Sequence, residues 1–140
     1  MKKRTDELFQ LLQADLPLET YLEENREELL ELTLSEFLHR LLEEYHTVKN
    51  EVIRRSGLNQ IYAYQIFAGT KSPSRDKLLA LAFGFPLSLQ DTQRLLRLAG
   101  HSELYPRSRR DSILLFGLKH RLIVPEMDDL LFDQQEPTLL

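Results

Sequence analysis

The chain has 140 residues, 42% hydrophobic and 29% charged, with no cysteine and a formal net charge of −4 at pH 7. That length supports one domain with a core and appended elements, and the missing thiols exclude disulfides, zinc fingers and thiol catalysis. No apolar run approaches the roughly 18 residues of a membrane span, and MKKRTDELFQLLQ lacks the apolar stretch of a signal peptide, so a cytoplasmic location is expected.

The pattern is helical nearly throughout, with no alternating run that asks for a strand. Thr5 can cap a first helix carrying Leu8, Phe9, Leu11 and Leu12, which Pro17 closes. A second helix is expected over 18–31, with Leu18, Tyr21, Leu22, Leu29 and Leu30 as a broken stripe. Thr33 and Glu36 form a capping box for a third helix, whose Leu34, Phe37, Leu38, Leu41, Leu42 and Tyr45 make a wide apolar face.

Residues 48–73, VKNEVIRRSGLNQIYAYQIFAGTKSP, then read as helix, tight turn, helix, glycine stop and proline restart. Gly57 sits where the first helix must reverse, and a left-handed backbone there is cheap for glycine. Asn59 is a suitable N-cap for the second helix, and Gly69 ends it. Ser72-Pro73 then opens another helix with proline at its first position, carrying Leu78, Leu79, Leu81, Ala82 and Phe83. Ser88 and Asp91 cap the next, which runs towards Gly100 with Leu95, Leu96, Leu98 and Ala99 turned inward. After the loop HSELYPRS, Ser108 and Asp111 cap a helix with Ile113, Leu114, Leu115, Phe116 and Leu118. Pro125 starts a last one with Met127, Leu130, Leu131 and Phe132, and QQEPTLL reads as a tail.

Over about Leu34 to Ala99 the glycines, the proline and the spacing resemble the helix-turn-helix of the phage repressor/Cro (Xre-like) family. Within the motif Val52, Ile53, Leu58, Ala63 and Ile66 are expected to face inward. Ile53 stands where that family has a small alanine, and Ala63 where it has a β-branched residue, a swap that conserves volume across one contact. Phe67-Ala68 before Gly69 is more apolar than the charged pair the family often carries. The resemblance implies an all-α fold: a repressor-like five-helix bundle containing a helix-turn-helix, with extra N-terminal and C-terminal helices. The expected divisions are acidic helices over 1–32, the bundle over 33–100, and a helical extension over 101–140 that packs on the bundle or on a second subunit.

The charge distribution is uneven. Residues 1–46 hold five Lys/Arg and twelve Asp/Glu, residues 47–124 hold thirteen and five, and residues 125–140 hold five acids and no base. Local field rather than total charge attracts phosphates, and the basic middle coincides with the motif. The resemblance places Gln60, Ile61, Tyr64 and Gln65 outward on the second motif helix as base-reading candidates. Glutamine can bond adenine bidentately and isoleucine can touch a thymine methyl. Lys49, Tyr62, Lys71, Arg75 and Lys77 are the phosphate-contact candidates. The implied partner is double-stranded DNA, bound by a homodimer.

Other chemistry finds little support. Glu36-x-x-His39 and Glu43-x-x-His46 carry the spacing of bundle metal sites, but they lie on one helix about 10 Å apart along its axis and cannot share a metal. No phosphate loop, nucleophile elbow or metalloprotease motif occurs; no metal, cofactor or enzyme activity is expected. A second reading stays open, because fold does not fix function. It is a protein–protein adaptor that uses the acidic N-terminal or apolar C-terminal helices. Glu23, Glu24, Glu27, Glu28 and Glu31 crowd one helix with like-charge pairs. That arm is either a solvated acidic face or a mask for the basic middle of its own chain or of a second subunit.

Overall fold

The computed structural model describes residues 3–24 and 32–140, and these contain helices and no strand. In order they are α1 (Thr5–Gln13), α2 (Leu18–Glu24), α3 (Leu34–Glu44), α4 (Lys49–Ser56), α5 (Gln60–Ala68), α6 (Arg75–Gly84), α7 (Leu89–Leu98), α8 (Arg109–Lys119) and α9 (Val124–Asp133). The chain divides into two compact units, residues 1–32 and residues 33–140.

In the first unit α1 buries no residue, and Phe9 and Leu12 are 61% and 54% exposed. Its N-cap is Arg4, without a side-chain cap, so Thr5 begins the helix instead of capping it. In α2, Tyr21 is buried. The rest of the expected second helix, with Glu27, Glu28, Leu29, Leu30 and Glu31, lies outside the described residues.

The second unit is organised around α6, in which every residue from Leu78 to Gly84 is buried. A helix apolar all round must be surrounded, and α4, α7 and α9 pack against α6 while α3 packs on α5 and α7. The α8–α9 pair closes the unit, α8 against α7 and α9 against α6. Gly84 sets the closest approach. A Cβ there would stand 2.7 Å from the Val52 carbonyl oxygen and 3.2 Å from the Ser56 nitrogen, so the α4 backbone lies on the space a side chain would need.

Local signals account for most helix boundaries. Thr33 Oγ1 accepts from the Glu36 N–H at 3.1 Å, and Glu36 Oε1 accepts from the Thr33 N–H at 3.3 Å. Ser88 and Ser108 each accept from the N–H three residues on, at 3.1 and 3.2 Å. The acids of these two Ser-x-x-Asp caps go elsewhere. Asp91 accepts from the Tyr45 hydroxyl at 2.6 Å, and Asp111 serves Arg75.

Two boundaries differ from expectation. Proline does not open α6. Ser74 is the N-cap, accepting from the Lys77 N–H at 3.3 Å, and Arg75 is the first helical residue. A serine hydroxyl satisfies an orphan amide where Pro73 offers none, and the Pro73 carbonyl is hydrogen-bonded to His101 Nε2 at 2.8 Å. Nor is the C-terminal stretch a loose tail. Asp128 accepts from the Leu139 and Leu140 N–H groups at 2.7 and 3.2 Å, and Arg110 Nε donates to the Pro137 carbonyl at 3.0 Å. Leu139 is buried, and Leu140 reaches the α4–α5 turn, where a Cβ on Gly57 would meet its Cδ1 at 2.8 Å.

The Gly84 contact gives a prediction of sign. Helix propensity alone favours alanine over glycine by about 1 kcal/mol. The Val52 carbonyl oxygen reverses this, and Gly84→Ala is expected to lower the unfolding free energy by about 2 kcal/mol in urea denaturation. A variant as stable as the parent would mean that α4 and α6 do not approach so closely.

Candidate nucleic-acid interface

The turn between α4 and α5 is held from inside. Gly57 adopts φ +72°, as the reversal requires. The buried Ser56 hydroxyl donates to the Ile53 carbonyl at 2.7 Å and accepts from the Leu58 N–H at 3.2 Å. The sequence pattern around Gly57 gives Ser56 no role of its own. The signal available was a small polar residue directly before the turn glycine. Asn59 Oδ1 accepts from the Tyr62 N–H at 3.1 Å, capping α5. Val52, Ile53, Leu58, Ala63 and Ile66 are buried, so the inward set is as expected, and Phe67 is buried in addition to it.

The far end of α5 is held as well. Gly69 adopts φ +83°, Thr70 N–H donates to the Gln65 carbonyl at 3.0 Å, and Ser35 Oγ on α3 donates to the Phe67 carbonyl at 2.5 Å. Capped at one end and tied to α3 at the other, α5 has little freedom to rotate about its axis.

Its outer side presents Gln60, exposed, and Ile61, 72% exposed, with Tyr62, Tyr64 and Gln65 half-buried. Positions 60, 61, 64 and 65 follow helical spacing and share one face. The Tyr64 hydroxyl donates to Asn50 Oδ1 in the first turn of α4, and Lys49 Nζ lies 5.8 Å from the Tyr64 ring centre and 5.7 Å from that of Phe67. Lys77 Nζ lies 5.5 Å from the Tyr62 ring centre. Lys71 is exposed in the turn after α5. Among the described residues none of these three lysines has a carboxylate partner. Each contact with an aromatic face orients an ammonium without neutralising it.

Nearby charges are partly spent. Arg54 and Arg55 both pair with Glu51, whose carboxyl is held below its usual value chiefly by the Arg54 hydrogen bond.

Arg75 departs from its expected role. Its Nη1 and Nη2 form a bidentate pair with Asp111 at 2.9 Å each, Nε donates to the Ser102 carbonyl and Nη2 to the Glu103 carbonyl, both at 3.0 Å. A guanidinium so engaged is a structural tie between α6, the 102–103 loop and α8, so Arg75 leaves the phosphate-contact set. Beside it, Arg110 Nη1 pairs with Asp76 at 2.8 Å, so α6 and α8 are joined by two ion pairs.

Glu36, His39, Glu43 and His46 do not converge. His39 Nδ1 is hydrogen-bonded to the Ser35 carbonyl at 2.8 Å, and no group of three His, Asp or Glu able to hold a metal occurs among the described residues. No described helix is long and apolar enough to cross a membrane. A scan against protein-family models and searches of curated proteins and of solved structures return no match.

The Asp111 carboxyl has a defined acid response. Burial alone would push it up. The Arg75 hydrogen bonds, the Tyr105 N–H and the charges of Arg75 and Arg110 outweigh that and hold it below the ordinary aspartate value. A depressed carboxyl stabilises the fold fully above the unfolded-state value, and that contribution is lost as pH falls through the folded-state one. Asp111→Asn is therefore expected to cost about 3 kcal/mol at pH 7, with the gap to the parent closing below about pH 4. A gap independent of pH would remove charge as the cause.

Proposed function

We propose that this chain is a sequence-specific DNA-binding transcriptional regulator of the repressor/Cro type, with α5 entering the major groove. One observation carries the reading. A helix held at both ends presents Gln60, Ile61, Tyr64 and Gln65 on one side, and around it lie three lysines with no carboxylate partner among the described residues. In this reading the two glutamines bond adenine edges, Ile61 meets a thymine methyl, and Tyr64, oriented by Asn50, reaches a base edge. Lys49, Lys71, Lys77 and Tyr62 contact phosphates and set the register. One such module buries little DNA, and palindromic half-sites match a two-fold dimer, so the regulator acts as a homodimer.

A different observation favours an adaptor role as the second reading. On the α8–α9 pair and its turn Phe116, Ile123 and Phe132 are 51%, 56% and 74% exposed, although the sequence pattern assigned both phenylalanines to apolar helix faces. Large exposed apolar side chains suit a protein partner.

Binding to duplex DNA at several salt concentrations separates the readings and the roles. Lys49→Ala, Lys71→Ala and Lys77→Ala should each weaken binding to every sequence and lower the slope of log K against log salt by about one. Gln60→Ala and Gln65→Ala should each cost about 1–3 kcal/mol at one or two base positions and leave the salt slope unchanged. A salt slope that survives the triple lysine variant, or one selected site shared by parent and both glutamine variants, would contradict the proposed interface.

A further inference from the structure

We propose that a cleft on the second unit, between the end of α3, the α6–α7 loop and the end of α8, binds a small aryl carboxylate. The cleft has a volume of about 560 Å³ and is lined by Tyr45, Phe85, Pro86, Leu118, Lys119 and Arg121 among others. That volume falls in the range of small-molecule sites.

The floor is aromatic and fixed. Tyr45 and Phe85 meet edge to face with ring centres 5.8 Å apart, and Phe85 and Leu118 are buried. The Tyr45 hydroxyl donates to Asp91 at 2.6 Å and accepts from the Ser88 N–H at 2.9 Å, so the ring cannot swing out to fill the space. Burial first, then the Asp91 bond, push the phenol up, and it stays neutral beside an incoming anion. A flat apolar body can lie against such a floor by offset or edge-on contact.

The rim supplies the charge. Lys119 and Arg121 are exposed, and among the described residues neither has a carboxylate partner. Six arginines of the same unit, Arg54, Arg55, Arg75, Arg97, Arg109 and Arg110, have one, and among the described residues Arg40, Arg94 and Arg107 have none. Among the described residues no acidic side chain lines the cleft, and the nearby Asp91 carboxylate is engaged by the Tyr45 hydroxyl. Arg121 also adopts φ +52°, a left-handed conformation just past α8 where glycine is usual. Two uncompensated cations above an aromatic floor fit a carboxylate on an aromatic ring. The ligand would join α8 to the α6–α7 loop. This site is separate from α5 and needs no DNA for its test.

The test is titration of the full chain with 2-naphthoate and with its neutral amide, followed by calorimetry and by nuclear magnetic resonance of the aromatic side chains. The acid is expected to bind saturably, to shift the Tyr45 and Phe85 ring signals, and to bind about tenfold more tightly than the amide. Lys119→Gln and Arg121→Gly are expected to remove that preference while keeping the parent melting temperature in the absence of ligand. Arg121→Gly suits the left-handed backbone and so tests the charge without straining the turn. Absence of binding at millimolar acid, equal affinity for acid and amide, or shifts elsewhere on the chain would each overturn the proposal.

Discussion

The close approach of α4 to α6 at Gly84 is the constraint on which the second unit depends. With α6 buried from Leu78 to Gly84, its neighbours are placed by how near they can come. The α4 backbone comes near enough to occupy the position of a side chain. That contact fixes α4, and α4 carries both the Gly57 turn into α5 and the Lys49–Asn50 pair that touches Tyr64 and Phe67. The outward face of α5 is thus set by the packing of α4 on α6. The large buried area of α6 outweighs the smaller polar contacts, since each hydrogen bond adds only about 1 kcal/mol.

The charged groups divide into those that build and those left over. Arg75–Asp111 and Arg110–Asp76 tie α6 to α8, and Arg109 and Arg110 also hold carbonyls of the last residues. Removing one partner of such a pair leaves a partly buried charge exposed to a real penalty. Lys49, Lys71 and Lys77 take part in none of this. The positive charge of residues 47–124 is therefore less available than the count suggests, and what remains free lies around α5, at the cleft rim, and at scattered surface positions.

Local signals were legible in the sequence. Thr33 with Glu36, Asn59, Ser88 and Ser108 cap where their side chains allow, and Gly57 and Gly69 take left-handed turns, because these effects act over three or four residues. Inward positions of the 48–73 stretch were legible for the same reason. The fate of Arg75 was not, because its partner Asp111 lies 36 positions away and the pairing exists only once α6 meets α8. Asp91 and Asp111 looked like ordinary cap residues, yet each carboxylate faces another element. The 134–140 stretch looked like a tail because its anchors, Arg110 and Asp128, act on backbone groups that have no sequence signature. Phe116 and Phe132 fit a helical apolar pattern and are exposed, since periodicity tells which residues share a face and not whether that face is covered.

The central claim is that α5 and the lysines around it are the surface that meets duplex DNA. The most direct measurement is the amide nuclear magnetic resonance spectrum of the full chain during titration with a mixed-sequence DNA duplex at low salt. The account predicts shifts concentrated at residues 49–50, 60–65, 71 and 77, which fade as salt is raised. Shifts confined to α8 and α9, or a spectrum unchanged by DNA, would contradict it.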